Sequence, residues 1–282
     1  IVKEKLLASH IAFEGSVDFS DPVHQTRLES LKTFEEKGFP TRKDEAWKYT
    51  SINGLVRNDY ALFPKFENTI ELKKVKKYFL YEIDTYKVVF IDGVYSPFLS
   101  DTTHDGLDVC LMSAALSKSK YRKLIDSYFN KTANTNDSLT ALNTSYTQEG
   151  AYIYIPKNTV AEKPIELIHF STGKEKSLWL QPRNLIVIEK NAQVQILERH
   201  QSLKPHDVVT NSVTEIYAHQ DAFLDYYKIQ NDLQTASLID NTYISQQKNS
   251  NVRMHTFSLG GKLTRNNLNF YLNGTNANST LK

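Results

Sequence analysis

The sequence of 282 residues contains a single cysteine, Cys110. One cysteine excludes an internal disulfide framework, and it excludes a metal or cluster site made only of cysteines within one copy of the chain. Cys110 follows Val109 and precedes Leu111, which predicts a small buried side chain and not a sulfur carrier. So few cysteines are typical of a reducing compartment, and a cytoplasmic location is expected.

Excess charge of one sign and long apolar runs are also absent. The 34 basic residues nearly balance the 32 acidic ones, for a formal net charge of +2. Such a balance creates no broad field that would attract nucleic acid or an anionic membrane. No stretch approaches the roughly 20 apolar residues that span a bilayer, and residues 1–10 lack the order of a secretion signal. Neither nucleic acid nor membrane is expected as a partner.

Short catalytic motifs are missing as well. The pair Gly173 and Lys174 lacks the Gly-x-x-x-x-Gly-Lys spacing that cradles phosphate, so nucleotide hydrolysis would belong to a separate protein. A metal site would need two or three histidines to converge with a carboxylate such as Asp207 or Asp221, and their spacing does not show this. No catalytic, cofactor-binding or metal-binding residue is assigned, and the chain is not expected to be an enzyme. The histidines considered are His200, His206, His219 and His255.

The chain divides into three regions by its hydrophobic pattern. Residues 1–80 are predicted to form a helical region, in which Leu28, Leu31 and Phe34 recur on one face. Residues 81–150 mix one strand pattern with helical spacing and form a connecting α/β segment. From 151 to 282 short β-rich runs replace the helical signals.

Polar corners separate these β-rich runs at intervals of roughly 25 to 30 residues. Such a period indicates stacked coils of a parallel β-helix, each coil burying its inward residues against its neighbours. An antiparallel sandwich remains the alternative, although the Asn-Gly and Asp-Gly pairs typical of its hairpins lie mostly outside this region. The corners are Lys190-Asn191-Ala192, Gln220-Asp221-Ala222, Asn249-Ser250-Asn251 and Asn276-Ala277-Asn278.

Several segments carry a family resemblance. The sequence GFPTRKDEAWKYT at 38–50 resembles the N-terminal signature of SufD proteins, and further matching segments follow in the family's order. Trp47 and Tyr49 of this signature are predicted to anchor a core. The signature, together with the absence of cysteine from the β region, favours SufD over SufB within the SufB/SufD family. The further segments are FIDGVY at 90–95, ALN at 141–143, QPRNLI at 181–186 and GGKLTRN at 260–266.

The resemblance implies an architecture and a role. It implies a helical N-terminal region followed by a right-handed parallel β-helix, in a non-catalytic scaffold subunit of the SUF iron-sulfur cluster assembly complex. The partners implied are a SufB-like subunit and a SufC-like ATPase. No cofactor is expected on this chain alone, because the assembled complex would handle the cluster.

The family's β-helix continues past the segment at 272–275 and ends in a helical C-terminal domain. Truncation at Lys282 is therefore expected, with the SufC-docking helices and a C-terminal histidine beyond it. An open β edge favours pairing with another strand, so a homodimer is also expected. The alternative function is a β-helical protein that binds or degrades polysaccharide, by analogy of fold alone. Its candidate carboxylates are Asp221, Asp225, Asp232 and Asp240.

Overall fold

The computed structural model describes residues 2–16, 22–62, 70–80, 82–101, 106–147, 149–174 and 177–282. Most helical residues precede the main run of strands. The helices are α1 (Val2–Glu14), α2 (His24–Lys37), α3 (Leu72–Val75), α4 (Met112–Ser117), α5 (Ser119–Tyr128) and α6 (Ser138–Ser145). The strands are β1 (Tyr86–Ile91), β2 (Val94–Tyr95), β3 (Asp108–Leu111), β4 (Ala151–Ile155), β5 (Ile165–Ser171), β6 (Ser177–Leu180), β7 (Arg183–Ile188), β8 (Gln193–Ser202), β9 (Asp207–Ala218), β10 (Phe223–Asn231), β11 (Ala236–Gln246), β12 (Asn251–Ser258), β13 (Leu263–Leu272) and β14 (Asn278–Leu281).

From β7 onwards, successive strands alternate between two sheets. One sheet has the order β14-β12-β10-β8-β5-β1-β2, and the other has the order β13-β11-β9-β7-β4-β3 with β6 beside β9. The pairings among β4 to β14 are parallel, whereas β1–β2 and β3–β4 are antiparallel. This connectivity is a parallel β-helix preceded by helices, which confirms the predicted fold class. The antiparallel sandwich is wrong.

The stacking register explains the period seen in the sequence. Gln193 lies beside Phe223, Phe223 beside Asn251, and Asn251 beside Asn278. Each coil therefore takes about 27 to 30 residues, within the range of stacked-repeat proteins.

A ladder of short polar residues, the corner ladder, turns the chain at one edge of the coils. Its members share a left-handed backbone with φ between 57° and 62°. Asn and Asp tolerate this conformation because their short side chains form local hydrogen bonds. Asn249 Nδ2 donates to Asp221 Oδ1 at 2.8 Å, and Asn276 Nδ2 donates to Asn249 Oδ1 at 3.2 Å. The corner ladder consists of Asn158, Asn191, Asp221, Asn249 and Asn276.

Replacement of Asn249 tests the corner ladder. We expect Asn249→Ala to lower the free energy of unfolding by about 1–2 kcal/mol, because alanine disfavours positive φ and makes no ladder hydrogen bond. Asn249→Gly keeps the backbone conformation, so its loss should be smaller. Urea denaturation of both variants measures the difference. Equal losses would show that the backbone conformation does not set the requirement for asparagine.

Five helices, α1, α2, α4, α5 and α6, lie on the outer face of the second sheet, whereas α3 packs on the first sheet through Val75. Val2, Leu6 and Phe34 pack in one buried cluster with Trp179 and Val209 of that sheet. Burial on both faces explains why β9 and β11 are almost entirely buried along their length. None of the helices that the structure describes is long and apolar enough to cross a membrane.

Helix α2 presents a different face from the predicted one. Phe34 is fully buried, but Leu28 and Leu31 are only half-buried. The buried positions beside Phe34 are Arg27 and Ser30. Arg27 donates from Nε and Nη2 to the carbonyl of Thr147 at 3.0 and 2.7 Å, and a paired arginine of this kind gives no apolar signal in sequence.

Candidate functional site

The interior of the β-helix changes from apolar to polar along its strands. On β8, Val194 and Ile196 lie in the central apolar cluster, and on β10 Leu224 and Tyr226 do the same. Side chains alternate between the two faces of a strand. The next inward positions are therefore Glu198 and His200 on β8 and Lys228 on β10, all of them buried.

A charged triad spans this polar part of the interior. Lys228 Nζ lies 2.9 Å from Glu198 Oε2 and 2.7 Å from Asp240 Oδ2, which comes from β11 in the opposite sheet. Both distances are short enough for ion pairs. The hydroxyl of Tyr226 donates to Glu198 Oε2 at 2.6 Å. The triad thus ties the two sheets together through the middle of the coil.

The triad keeps Glu198 and Lys228 ionised despite their burial. Burial by itself raises the pKa of Glu198, but the charge of Lys228 and the hydrogen bond from His200 outweigh it and hold that pKa well below its usual value. Burial lowers the pKa of Lys228, and Asp240 and Glu198 together raise it above its usual value. Both groups are charged at neutral pH.

A stack of rings adjoins the triad. Phe90, His169 and His200 occupy matching positions on β1, β5 and β8. The His169 ring lies 4.9 Å from that of Phe90 and 4.7 Å from that of His200, nearly parallel to both. His200 Nε2 lies 3.1 Å from Glu198 Oε1 and donates to it, since a carboxylate can only accept.

His169 has no comparable contact. Its Nε2 atom is shielded from solvent and has no hydrogen-bond partner in the described part of the chain. Burial, with a further contribution from neighbouring His200, lowers the pKa of His169 to about 3. The ring is therefore neutral at pH 7, and a neutral imidazole has one nitrogen able to bind a metal ion.

Together His169, Glu198 and His200 form the one group of three histidine, cysteine or acidic side chains, among the described residues, whose donor atoms all lie within 4.8 Å of one another. A cavity of about 20 Å³ adjoins both histidine rings, and Ser171 and Asp232 also line it. That volume holds about one water molecule. We call these three residues the interior triplet.

Only one of the four histidines considered from sequence belongs to the interior triplet. His206 Nδ1 contacts the carbonyl of Lys204 at 3.0 Å, and His219 Nε2 contacts the hydroxyl of Tyr128 at 2.8 Å. His255 stacks on Tyr227. His169 and Glu198 were missed because only the register of β5 against β8 places them beside His200. The signal available in the sequence was a polar residue, in each of two β-rich runs, at a position whose side chain points into the coil.

The carboxylates considered for polysaccharide chemistry do not form a pair. Asp225 lies 2.9 Å from Arg253 Nε, and Asp232 accepts a hydrogen bond from Ser202 at 2.7 Å. Asp221 belongs to the corner ladder, and Asp240 pairs with Lys228 in the interior. Glycoside hydrolysis commonly requires two carboxyl groups flanking one bond, so these residues do not support that chemistry.

A second buried ion pair has a structural role. Arg183 Nη2 lies 2.5 Å from Glu215 Oε2 on the outer face of the second sheet, and both side chains are fully buried. The remaining capacity of Glu215 is used by the backbone amides of Asn130, Thr132 and Ala133, at 2.7 to 3.1 Å. We call these contacts of Glu215 with Arg183 and the three amides the latch. The latch holds the loop between α5 and α6 against the β-helix.

Two segments that carried the family resemblance meet in space. Arg265 Nη2 donates to the carbonyl of Ala46 at 2.8 Å, and its guanidinium carbon lies 4.2 Å from the centre of the Trp47 ring. Trp47 is buried, which confirms it as an anchor, and the cation–π contact ties it to β13. The prediction for Tyr49 is wrong, because its side chain is 90% exposed.

Cys110 lies at the edge of the cluster that packs α4 and α5 against the second sheet. Its side chain is half-buried, and burial raises the pKa of its thiol. The thiolate is the nucleophilic form of cysteine, so this environment does not activate the sulfur.

Comparison with known proteins matches the chain along nearly its whole length. Residues 15–167 match the SufBD protein N-terminal region, and residues 169–282 match the SufBD core domain of SUF system FeS cluster assembly. A SufBD family protein of Synechocystis is 28% identical over 81% of this chain and 52% of its own length. SufD of Escherichia coli is 25% identical over 97% of this chain and 60% of its own length.

The protein ABCI7 of Arabidopsis thaliana, named as chloroplastic, is 24% identical over 91% of this chain and 54% of its own length. The chain thus spans little more than half of these relatives. Both family matches fall on the architecture described above, with helices first and parallel coils after them. The chain belongs to the SufBD family of iron-sulfur cluster assembly proteins.

Proposed function

We propose that this chain is a non-catalytic scaffold subunit of a SUF complex, where it pairs with a SufB-like subunit and a SufC-like ATPase. The observation that carries the proposal is the match of both SufBD regions to a parallel β-helix with its helical cover. The similarity to SufD of Escherichia coli over 97% of the chain favours the SufD role within that pair.

The rigidity of the structure supports a scaffold role. Each coil is hydrogen-bonded to the coils above and below it, so the strands form a stiff platform. Glu215 and Arg183 latch the helical cover to this platform from outside, and Lys228 links the two sheets from inside. A stiff body can hold two partner proteins at a constant separation.

The chemistry of ATP hydrolysis and of cluster building would then lie elsewhere in the complex. The sequence contains no Gly-x-x-x-x-Gly-Lys motif, and its lone thiol has a raised pKa. We place the iron-sulfur cluster on the assembled complex, within the cytoplasm, and assign no cluster ligand to this chain.

Anaerobic co-purification tests the proposal. The complete coding frame that contains this chain is co-expressed with the SufB-like and SufC-like proteins of the same organism, with an affinity tag on this subunit alone. We expect a stable complex of the three proteins, because the family role requires simultaneous contact. The matched control omits the SufB-like protein, so the complex of three proteins cannot form in it.

Two results would contradict the proposal. One is recovery of the tagged subunit without either partner under reducing, oxygen-free conditions. The other is ATP hydrolysis by the isolated subunit at the rate of the complex, which would refute its non-catalytic role.

A further inference from the structure

We propose that the interior triplet, His169, Glu198 and His200, is a binding site for one divalent transition-metal ion inside the β-helix. The ligand atoms would be Nε2 of each histidine and Oε1 of the glutamate. Their donor atoms already lie within 4.8 Å of one another. The ion is distinct from an iron-sulfur cluster, because the triplet supplies neither thiolate nor sulfide.

The charges of the interior favour a bound cation. Two buried carboxylates, Glu198 and Asp240, face a single ammonium group, that of Lys228. A cation bound beside Glu198 would add positive charge to an interior in which carboxylates outnumber ammonium groups. An uncompensated charge in a protein interior is strongly unfavourable.

The unused nitrogen of His169 is a second, independent observation that points to a ligand. His169 Nε2 is buried and has no hydrogen-bond partner among the described residues. A metal ion at the interior triplet would use that nitrogen and would place positive charge beside Glu198. The Nε2 proton that His200 donates to Glu198 would move to Nδ1 of the same ring, so that the ring stays neutral and Nε2 presents its lone pair to the metal.

The surroundings resemble the supporting shell of a metal site. Tyr226 donates to Glu198 Oε2 and Lys228 lies 2.9 Å from it, so Oε1 is left to face the histidines. Groups that orient a ligating carboxylate in this way are typical around metals. The His169 ring lies between the rings of Phe90 and His200, and this stacking sets its orientation. The two histidine rings must tilt toward each other to share one ion.

The ligand set defines the class of metal. Two imidazoles and one carboxylate suit iron(II), zinc(II) and cobalt(II), and a triad of this composition leaves positions open for other ligands. The cavity beside both histidine rings has room for about one water molecule in such a position. Hard ions such as magnesium prefer oxygen ligands and should bind poorly.

Cobalt(II) is the probe for a test, since its bound form absorbs visible light. The complete protein is purified anaerobically, stripped with chelator and titrated with cobalt(II). Comparison with His169→Phe isolates this site from any other, because phenylalanine keeps the ring stack and removes only the ligand. We expect wild type to bind one equivalent more than His169→Phe, or to bind it at least about tenfold more tightly. Iron(II) and zinc(II) should compete for it.

His255→Phe is the matched control, since His255 also stacks on an aromatic ring but lies outside the triplet. It should bind cobalt(II) as wild type does. If His169→Phe does not fold, His169→Gln replaces it, and a rise in the melting temperature of wild type with added cobalt(II) gives a second readout. Equal binding by wild type and the His169 variants, or no binding at all, would overturn the proposal.

The proposal is independent of the scaffold role. Metal binding is measured on the isolated subunit, whereas the scaffold role is measured by recovery of partners. Failure of one experiment therefore leaves the other unaffected.

Discussion

Lys228→Met is expected to lower the free energy of unfolding by about 3–5 kcal/mol, because it leaves two buried carboxylates without their cation. Glu198 and Asp240 both contact the ammonium group of Lys228, and all three side chains are almost completely buried. Methionine fills a similar volume, so the loss reports charge and not a cavity. Urea denaturation of the isolated protein, stripped of metal, measures it.

Two controls define the cause. Lys248→Met removes an exposed lysine at a corner, and it should change stability by less than about 0.5 kcal/mol. Adding Asp240→Asn to Lys228→Met removes one of the two stranded carboxylates, and it should restore part of the loss. A Lys228→Met protein as stable as wild type would show that the charged triad does not link the sheets.

The pH dependence of this loss has a definite sign. In wild type the pKa of Glu198 is held below its unfolded value, so its contribution is present above about pH 4.5 and is lost as the pH falls through the folded pKa. In Lys228→Met the carboxyl pKa values should rise above their unfolded values, so stability is lost as the pH rises. The difference between the two proteins should therefore grow between about pH 4 and pH 8. A difference independent of pH would indicate lost packing instead.

Glu215→Gln is expected to break the latch that holds the loop between α5 and α6 against the β-helix. The free energy of unfolding should fall by about 3–5 kcal/mol. The substitution leaves the buried guanidinium of Arg183 without its counterion. It also replaces one carboxylate oxygen, which accepts from backbone amides between α5 and α6, by an amide donor. Urea denaturation gives the total loss, and hydrogen exchange of the amides of Asn130, Thr132 and Ala133 shows where it falls.

An exposed pair is the matched comparison for this latch. Glu71 lies 2.5 Å from Lys73 at the surface, and Glu71→Gln should change stability by less than about 0.5 kcal/mol. In Glu215→Gln the three amides should exchange faster than those of β9 and β11, because the loop opens before the coils unfold. Uniform exchange across the protein would show instead that the cover and the coils unfold as one unit.

Much of the β-helix could be predicted from the sequence because each coil repeats the same local conformational requirement. The corners predicted at Asn191, Asp221, Asn249 and Asn276 all have the left-handed backbone, since asparagine and aspartate are favoured there for local reasons. The β run predicted at 165–170 falls within β5 of the structure (Ile165–Ser171) for the same kind of reason: β-branched and aromatic residues favour extended backbone wherever they lie.

Which residues of the helical region are buried was harder to predict from the sequence, because burial there depends on partners distant in sequence. Arginine is typical of protein surfaces. Arg27 and Arg183 are buried only because another segment supplies acceptors for each of them. Tyr49 follows Trp47 within one motif, but only Trp47 meets Arg265, which lies far along the chain. Local sequence does not reveal such pairings.

The sequence by itself determined the fold class, the length of a coil, the corner residues and the family resemblance, since these follow from short-range preferences repeated along the chain. Only the tertiary structure decided which polar residues meet inside the coils. Glu198 and His200 are two residues apart, but His169, Lys228 and Asp240 reach them through strand register and through the packing of one sheet on the other. Register depends on the sum of many contacts across the coils, so a single local pattern does not reveal it.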